Sequence, residues 1–180
     1  LKELKTENDL LRQSLNLSLG NDFQLKIADI IGKDIVDDSL MINKGKKDGL
    51  KNDMAVISGK NLVGRVTNVS SNFSQVMLVL HPKFTTLAKS SDSQAAGVAR
   101  GEGSFILLDA VAITDNLSKD AIITTKGDML QEGLGIPQDL TIGKIVSLNK
   151  VSSAPFQTAK VESFLSFPRL ETVFVVTNNF

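Results

Sequence analysis

From Asn21 onward the apolar residues of this chain recur at every second position, in short segments rich in Val, Ile, Leu and Thr that Gly, Asp, Asn and Ser interrupt. That alternation sends successive side chains to opposite faces, so it dictates half-buried β-strands; a helix would need a repeat near 3.6. Segments of this kind begin near Leu25, Ser39, Met54, Asn61, Gln75, Thr85, Ala95, Ser104, Ala121, Thr141, Gln157 and Thr172. Short strands at this spacing predict a sandwich or a barrel. Lys47-Asp48-Gly49 and Ser58-Gly59-Lys60-Asn61 each place a residue tolerant of positive φ between two apolar runs, which reads as a tight strand connection. No alternation of strand with long helix follows Asn21, so a parallel α/β sheet is not expected. The pattern suits a mainly β protein with two small six-stranded antiparallel barrels, each filled by its own side chains and leaving no room for a ligand.

Before Asn21 the period changes. Leu1, Leu4, Asn8, Leu11 and Leu15 follow the alternating three-and-four spacing that keeps one helix seam facing a partner, with Lys2, Glu3, Lys5, Glu7, Asp9 and Arg12 between them. Gly20-Asn21 supplies a left-handed helix stop. With Leu4 and Leu11 at d positions Asn8 falls on an a position, where a buried Asn fixes register and favours two strands. So short a seam is marginal alone, since isolated helices below roughly 12–15 residues barely hold in water. It reads as the end of a longer dimerising coiled coil; the competing reading is a surface helix docked on its own domain. The expected organisation is coiled coil over 1–20, a first barrel over 24–82 with 157–180 available to complete it, and a second barrel over 83–150. The chain opens on Leu in mid-pattern rather than on Met, which reads as a start partway through a longer protein with a membrane anchor upstream. No apolar run within it approaches the roughly 18–20 residues that span a bilayer.

Chemistry is sparsely supplied. Lys plus Arg number 20 and Asp plus Glu 20, so no net field draws the chain to nucleic acid or anionic lipid. Phe is the sole aromatic type, a poor base-stacking platform. With no Cys and one His, thiol chemistry and two-histidine metal sites are excluded, and no cofactor is expected. His81, in Leu80-His81-Pro82-Lys83-Phe84, is the single candidate imidazole base; without a Gly-x-Ser-x-Gly or Gly-Asp-Ser-Gly nucleophile turn it reads as a loop histidine at a strand end. Asp109, Asp115, Asp120 and Asp128 are scattered rather than paired for acid/base work. Gly97 to Gly103 is glycine-rich, but no helix or Gly-Lys-Ser/Thr follows to cradle a phosphate, so it reads as a strand turn.

Several blocks, in order, carry a more specific signal. They are Leu40-Met41-Ile42-Asn43-Lys44-Gly45-Lys46-Lys47-Asp48-Gly49-Leu50, Asn61-Leu62-Val63-Gly64-Arg65-Val66, Ser74 to Phe84, Ala96-Gly97-Val98-Ala99-Arg100-Gly101, Gly127-Asp128, and Gly135-Ile136-Pro137 through Gly143-Lys144-Ile145-Val146. Together they resemble the extracytoplasmic region of the rod shape-determining protein MreC family, over almost the whole chain. Asn43 and His81 stand where that family commonly has aspartate, Ala55 where it has proline and Asp139 where it has glycine. The motif residues Gly45, Asp48, Gly49, Gly64, Val66, Gly97, Gly101, Gly127, Asp128, Pro137 and Gly143 read as structural, the glycines serving bends or close approaches. The resemblance implies a non-catalytic scaffold outside the cytoplasmic membrane, anchored by an upstream transmembrane helix, that organises peptidoglycan synthesis and so maintains cell shape. Implied partners are a second copy, in dimers or filaments, a class B penicillin-binding transpeptidase, MreD and the MreB system. The family's two-barrel layout is similar to that of trypsin-like proteases, but fold does not confer function and the triad residues are missing here. Two other classes compete: a periplasmic adaptor of an efflux or secretion system, which would need a returning partner helix, and an unrecognised hydrolase.

Overall fold

A computed structural model describes Leu4 and residues 24–129 and 134–178. Its strands are β1 (Gln24–Asp34), β2 (Ser39–Ile42), β3 (Ala55–Ser58), β4 (Asn61–Val69), β5 (Ser74–Leu78), β6 (Thr85–Ser90), β7 (Ala96–Gly101), β8 (Ile106–Ala112), β9 (Ile122–Thr125), β10 (Asp128–Met129), β11 (Gly135–Ile136), β12 (Thr141–Asn149), β13 (Phe156–Glu162) and β14 (Thr172–Asn178). All but β10 and β11 begin within two residues of a start read from the alternation. Those two are two-residue strands that pair with each other, too short to display a period.

The chain is mainly β and closes into a barrel. Strands β1, β2, β5, β4, β3 and β14 pair in that cyclic order, all antiparallel, so none of the six keeps an open edge along its whole length. The other long strands pair around a second cycle, β6-β7-β8-β13-β12-β9 and back to β6. One parallel bridge, Thr141 to Asn61, joins the cycles. Ile42, Val56, Leu62, Val66 and Val76 are buried from the first cycle and Ile106, Leu108, Ile123, Ile145 and Val161 from the second, the branched aliphatics that fit a small closed sheet.

The two cycles repeat one another in register. Gly64 of β4 pairs with Val56 on β3, and the β4–β5 ladder shifts between Val66 and Asn68; Gly143 of β12 pairs with Ile123 on β9, and the β12–β13 ladder shifts between Ile145 and Ser147. Each shift lies at the same offset from its glycine, so β3, β4 and β5 correspond to β9, β12 and β13. Following the pairings round, β14 takes in the first cycle the place that β6 takes in the second. The first cycle is therefore a permuted copy of the second, with its opening strand moved to the end of the chain.

This corrects the sequence-based boundaries. The second cycle does not end at 150, because β13 pairs with β8 and β12; of the segment 157–180, only the part containing β14 returns to the first cycle. Five strands from residues 24–78 leave β1 and β3 with unpaired edges, and β14 satisfies both. Ser58 to Asn61 is a tight hairpin, with Gly59 at φ +63°, as expected. Lys47-Asp48-Gly49 is not a strand connection of that kind: it forms a 3-10 turn in the crossover from β2 to β3, strands that do not pair with each other. Gly97 and Gly101 lie within β7 rather than in a turn, which follows only after Gly101. The coiled-coil seam Leu1, Asn8, Leu11 and Leu15 lies outside the described residues; Leu4 is helical and exposed.

Candidate interaction surface

The β1–β2 hairpin ends in Asp34-Ile35-Val36-Asp37-Asp38. The Asp34 carboxylate accepts the backbone N–H groups of Val36 and Asp37, each at 3.1 Å, and this side-chain turn fixes the tip. Ile35 and Val36 are thereby held in solvent, 80% and 96% exposed, where the fold gains nothing from burying them. A cavity of about 240 Å³ opens at the root of the tip, walled by Leu40, Leu78, Leu80 and Phe167 and rimmed by Lys33 and Asp38. Lys33 donates its ammonium to the Pro168 carbonyl at 2.5 Å, tying the hairpin to the segment that leads back to β14.

His81 stands beside this tip in the turn after β5. Its Nδ1 accepts the Lys83 N–H at 3.0 Å, which places the neutral-ring proton on Nε2, 3.6 Å from the Asp37 carboxylate. Burial raises the Asp38 carboxyl above its ordinary value of 3.8; the electrostatic attraction of nearby His81 opposes this, and the charges of Asp37 and Asp34 act with burial. An acid raised on folding binds its proton more tightly folded than unfolded. Its contribution therefore favours the fold at low pH and is lost as pH rises through the carboxylate range. Asp38→Asn is expected to flatten that part of the stability profile and to raise the midpoint at pH 7; melting curves from pH 3 to 7 that keep the wild-type slope would refute this. Asp38 sits at φ +43°, a conformation Asn tolerates.

A second apolar tip belongs to the other cycle. The β12–β13 hairpin leaves Leu148 exposed, with Val151 at 55% and Phe156 at 56%. Between Ile145 and Val161 the hairpin carries Lys150 and Lys160 and no carboxylate. The Lys160 ammonium lies 4.6 Å from the Phe105 ring centroid. The corresponding β4–β5 tip of the first cycle is covered by its own crossover: Lys46 and Lys47 donate backbone N–H groups to the Ser70 and Ser71 carbonyls, at 2.8 and 3.1 Å. There Val69 is half-buried; its counterpart Leu148 is not.

The motif residues fall into structural settings rather than into one site. Gly45, Asp48 and Gly49 build the 3-10 turn, where Asp48 accepts the Gly45 N–H at 3.0 Å and Gly49 takes φ +86°. Gly64 and Val66 lie in β4, Gly97 and Gly101 in β7, Gly143 in β12 and Asp128 in β10. Gly127 precedes β10 at φ +102°, and the buried Pro137 offers its carbonyl to the Thr125 hydroxyl at 2.6 Å. Two departures from the family pattern have local explanations. Asn43 Oδ1 accepts the Asp29 N–H at 2.8 Å, an acceptor role aspartate would fill equally, and Asp139 sits at φ +67°, where glycine is at ease. Among the described residues no three His, Cys, Asp or Glu side chains converge on a possible metal position, and no helix is long and apolar enough to cross a membrane. The two tips went unread in the sequence because an apolar residue at a hairpin end follows the same alternation as one in the core.

A closed six-stranded β-ring fused to further paired strands, with apolar hairpin tips held in solvent, defines a β-barrel protein. The family described as "Rod shape-determining protein MreC, barrel core" matches residues 30–177. The chain belongs to this MreC family of shape-determining structural proteins. It is 30% identical over 185 residues to the cell shape-determining protein MreC of Haemophilus influenzae, covering 98% of this chain and half the length of that curated relative. Its fold matches the major periplasmic domain of the cell shape-determining filament MreC with TM-score 0.71 at 19% identity, over 87% of this chain and 96% of that one. It also matches a chain from the complex between penicillin-binding protein PBP2 and MreC from Helicobacter pylori, with TM-score 0.62 at 14% identity, over 86% of this chain and 100% of that one.

Proposed function

We propose that this chain is a non-catalytic scaffold of the bacterial elongation machinery, working on the outer side of the cytoplasmic membrane. In this reading the two strand cycles are two barrel modules, and an upstream transmembrane helix tethers them through a dimerising coiled coil. Its partners are a class B penicillin-binding transpeptidase, MreD and, through the membrane, the MreB system. The observation that carries the reading is family membership across the whole barrel core, coupled with a relative of the same fold recorded in complex with PBP2. The exposed tips support it: apolar side chains held in solvent by a rigid turn suit docking, not the stability of the isolated chain.

Purified protein is expected to retain the transpeptidase of its own organism in a pull-down at physiological salt. A clean negative with both proteins folded would remove the transpeptidase from the proposal. For the coil, Asn8→Leu is expected to change oligomer number or register, because an Asn at an a position of a coiled coil favours two strands over other assemblies. Light scattering that gives one unchanged monomer mass for wild type and variant would sink the dimer.

A further inference from the structure

We infer that His81 is a pH-operated switch between the β1–β2 tip and the turn that joins the two cycles: its neutral ring holds the turn, and its protonated ring releases the turn and pairs with the tip. His81 is the single histidine of the chain. It lies in Leu80-His81-Pro82-Lys83-Phe84, the connection from β5 to β6 and so the passage from the first cycle to the second.

Backbone bonds clamp this turn from both sides. The His81 carbonyl accepts the Phe84 N–H at 2.9 Å around Pro82, the Leu80 carbonyl accepts the Gly103 N–H at 2.8 Å, and the Phe84 carbonyl accepts the Gly101 N–H at 3.1 Å. A β-carbon at Gly101 would overlap the His81 carbonyl oxygen, so the end of β7 packs on the turn with no room between. The Lys83 N–H is held differently. It donates to Nδ1 of the His81 ring at 3.0 Å, the two-residue reach that Asn and Asp side chains use in turns.

An amide oxygen accepts such a bond at any pH, whereas an imidazole nitrogen accepts only while it carries no proton. Imidazole changes charge between about pH 5 and 8. Proton uptake puts an N–H on Nδ1, facing the Lys83 N–H, and two donors cannot share one bond, so the Lys83 amide is released. The same charge strengthens the other contact, from Nε2 to the Asp37 carboxylate at 3.6 Å. The ring is only 13% exposed, so its neighbours decide where it goes. Asp37 and Asp38 face it from the tip, and Asp34 stands near Asp38. Its own turn carries the cation of Lys83. On the β7 side Arg100 and Glu102 are both exposed, and the Arg100 guanidinium is turned to Asp109 at 3.6 Å. The carboxylates at the tip and the cation in the turn both drive a charged ring toward the tip. Acidification therefore pins the hairpin that presents Ile35 and Val36, and frees one amide in the passage between the cycles.

The test is NMR of the 15N-labelled full chain, without a partner, from about pH 5 to 8 for wild type, His81→Asn and Asp37→Asn. With one histidine, the imidazole nitrogen signals belong to His81. In wild type the ring and the Lys83 amide should titrate with one shared midpoint. Lys83 exchange, corrected for its intrinsic pH dependence, should rise about tenfold on acidification as the bond is lost. His81→Asn should keep Lys83 protected throughout, because its amide oxygen gains no proton. Asp37→Asn should lower the shared midpoint by about 0.5 pH unit, because the charged ring loses its partner. A ring that keeps one form across the range, a Lys83 amide that stays protected while the ring titrates, or one that titrates equally in His81→Asn would each overturn the switch. An unchanged midpoint in Asp37→Asn would overturn the pairing with the tip. The wild-type comparison of ring with amide decides the proposal even where a variant does not fold, and with no transpeptidase present it is independent of the docking proposed above.

Discussion

Gly64→Ala is expected to destabilise the protein by about 3 kcal/mol or more, a fall of roughly 6–12 °C in melting midpoint for a chain of this size. The reason is a backbone collision. A β-carbon at Gly64 would overlap the Met77 carbonyl oxygen and crowd the Leu78 α-carbon, and both belong to β5, the strand that β4 pairs with. A flexible side chain could swing aside; a backbone carbonyl within a ladder moves only if the ladder opens. Gly143→Ala should cost a similar amount, because a β-carbon there would overlap the Glu162 carbonyl at the matching place in the second cycle. Gly32→Ala is the control: its nearest neighbour is the Met41 β-carbon at 3.5 Å, an ordinary contact, and its melt should stay within about 2 °C of wild type. Gly64→Ala melting like wild type would show that this glycine is dispensable to the fold.

Phe84→Ala should cost about 3–5 kcal/mol, the usual penalty for emptying a buried aromatic position. Phe84 is 2% exposed and lies just before β6, where the chain passes from the first cycle to the second. Its ring carries the Arg65 guanidinium at 4.9 Å, and Arg65 Nη2 donates to the neighbouring Thr85 carbonyl at 2.6 Å. Arg65 belongs to β4, so this stack fastens one cycle to the other. Denaturant unfolding of Phe84→Ala, Arg65→Met and the double variant should reveal a coupling of about 0.5–1 kcal/mol between the two positions. Strictly additive losses would mean that the stack contributes nothing beyond packing. Arg65→Lys is not expected to restore the coupling, because an ammonium lacks the planar face that lies on the ring.

Both predictions rest on residues whose type was legible in the sequence and whose reason was not. Gly64 and Gly143 stood out in period-two segments, where glycine weakens a strand and so needs a cause. The cause is a carbonyl from a strand more than ten residues away. Phe84 followed an apolar strand and gave no sign of its position between cycles. His81 was correctly read as a strand-end histidine, yet its neighbour Asp37 comes from a distant hairpin. The tips were the least legible feature. Ile35, Val36, Val151 and Phe156 would pass for core residues in any pattern reading; Ile35, Val36 and Val151 are exposed in the hairpin turns, and Phe156 is exposed on β13 although it is paired with Ala112 of β8.

By itself the sequence determined where strands begin and which faces they bury, because the pleat and the turn at Gly59 depend on nearest neighbours along the chain. It also excluded thiol and two-histidine chemistry, because those need residues the chain lacks. Only the tertiary structure decided which strands close which ring. β13 and β14 have similar alternation, but β14 meets the open edges of β1 and β3 while β13 meets those of β8 and β12. An unpaired edge is satisfied by whichever strand reaches it in space, and its address is not written in local periodicity. The same holds for the acidic and basic tips: their charges are in the sequence, but their exposure on opposite members of a repeated ring pair is a property of the fold.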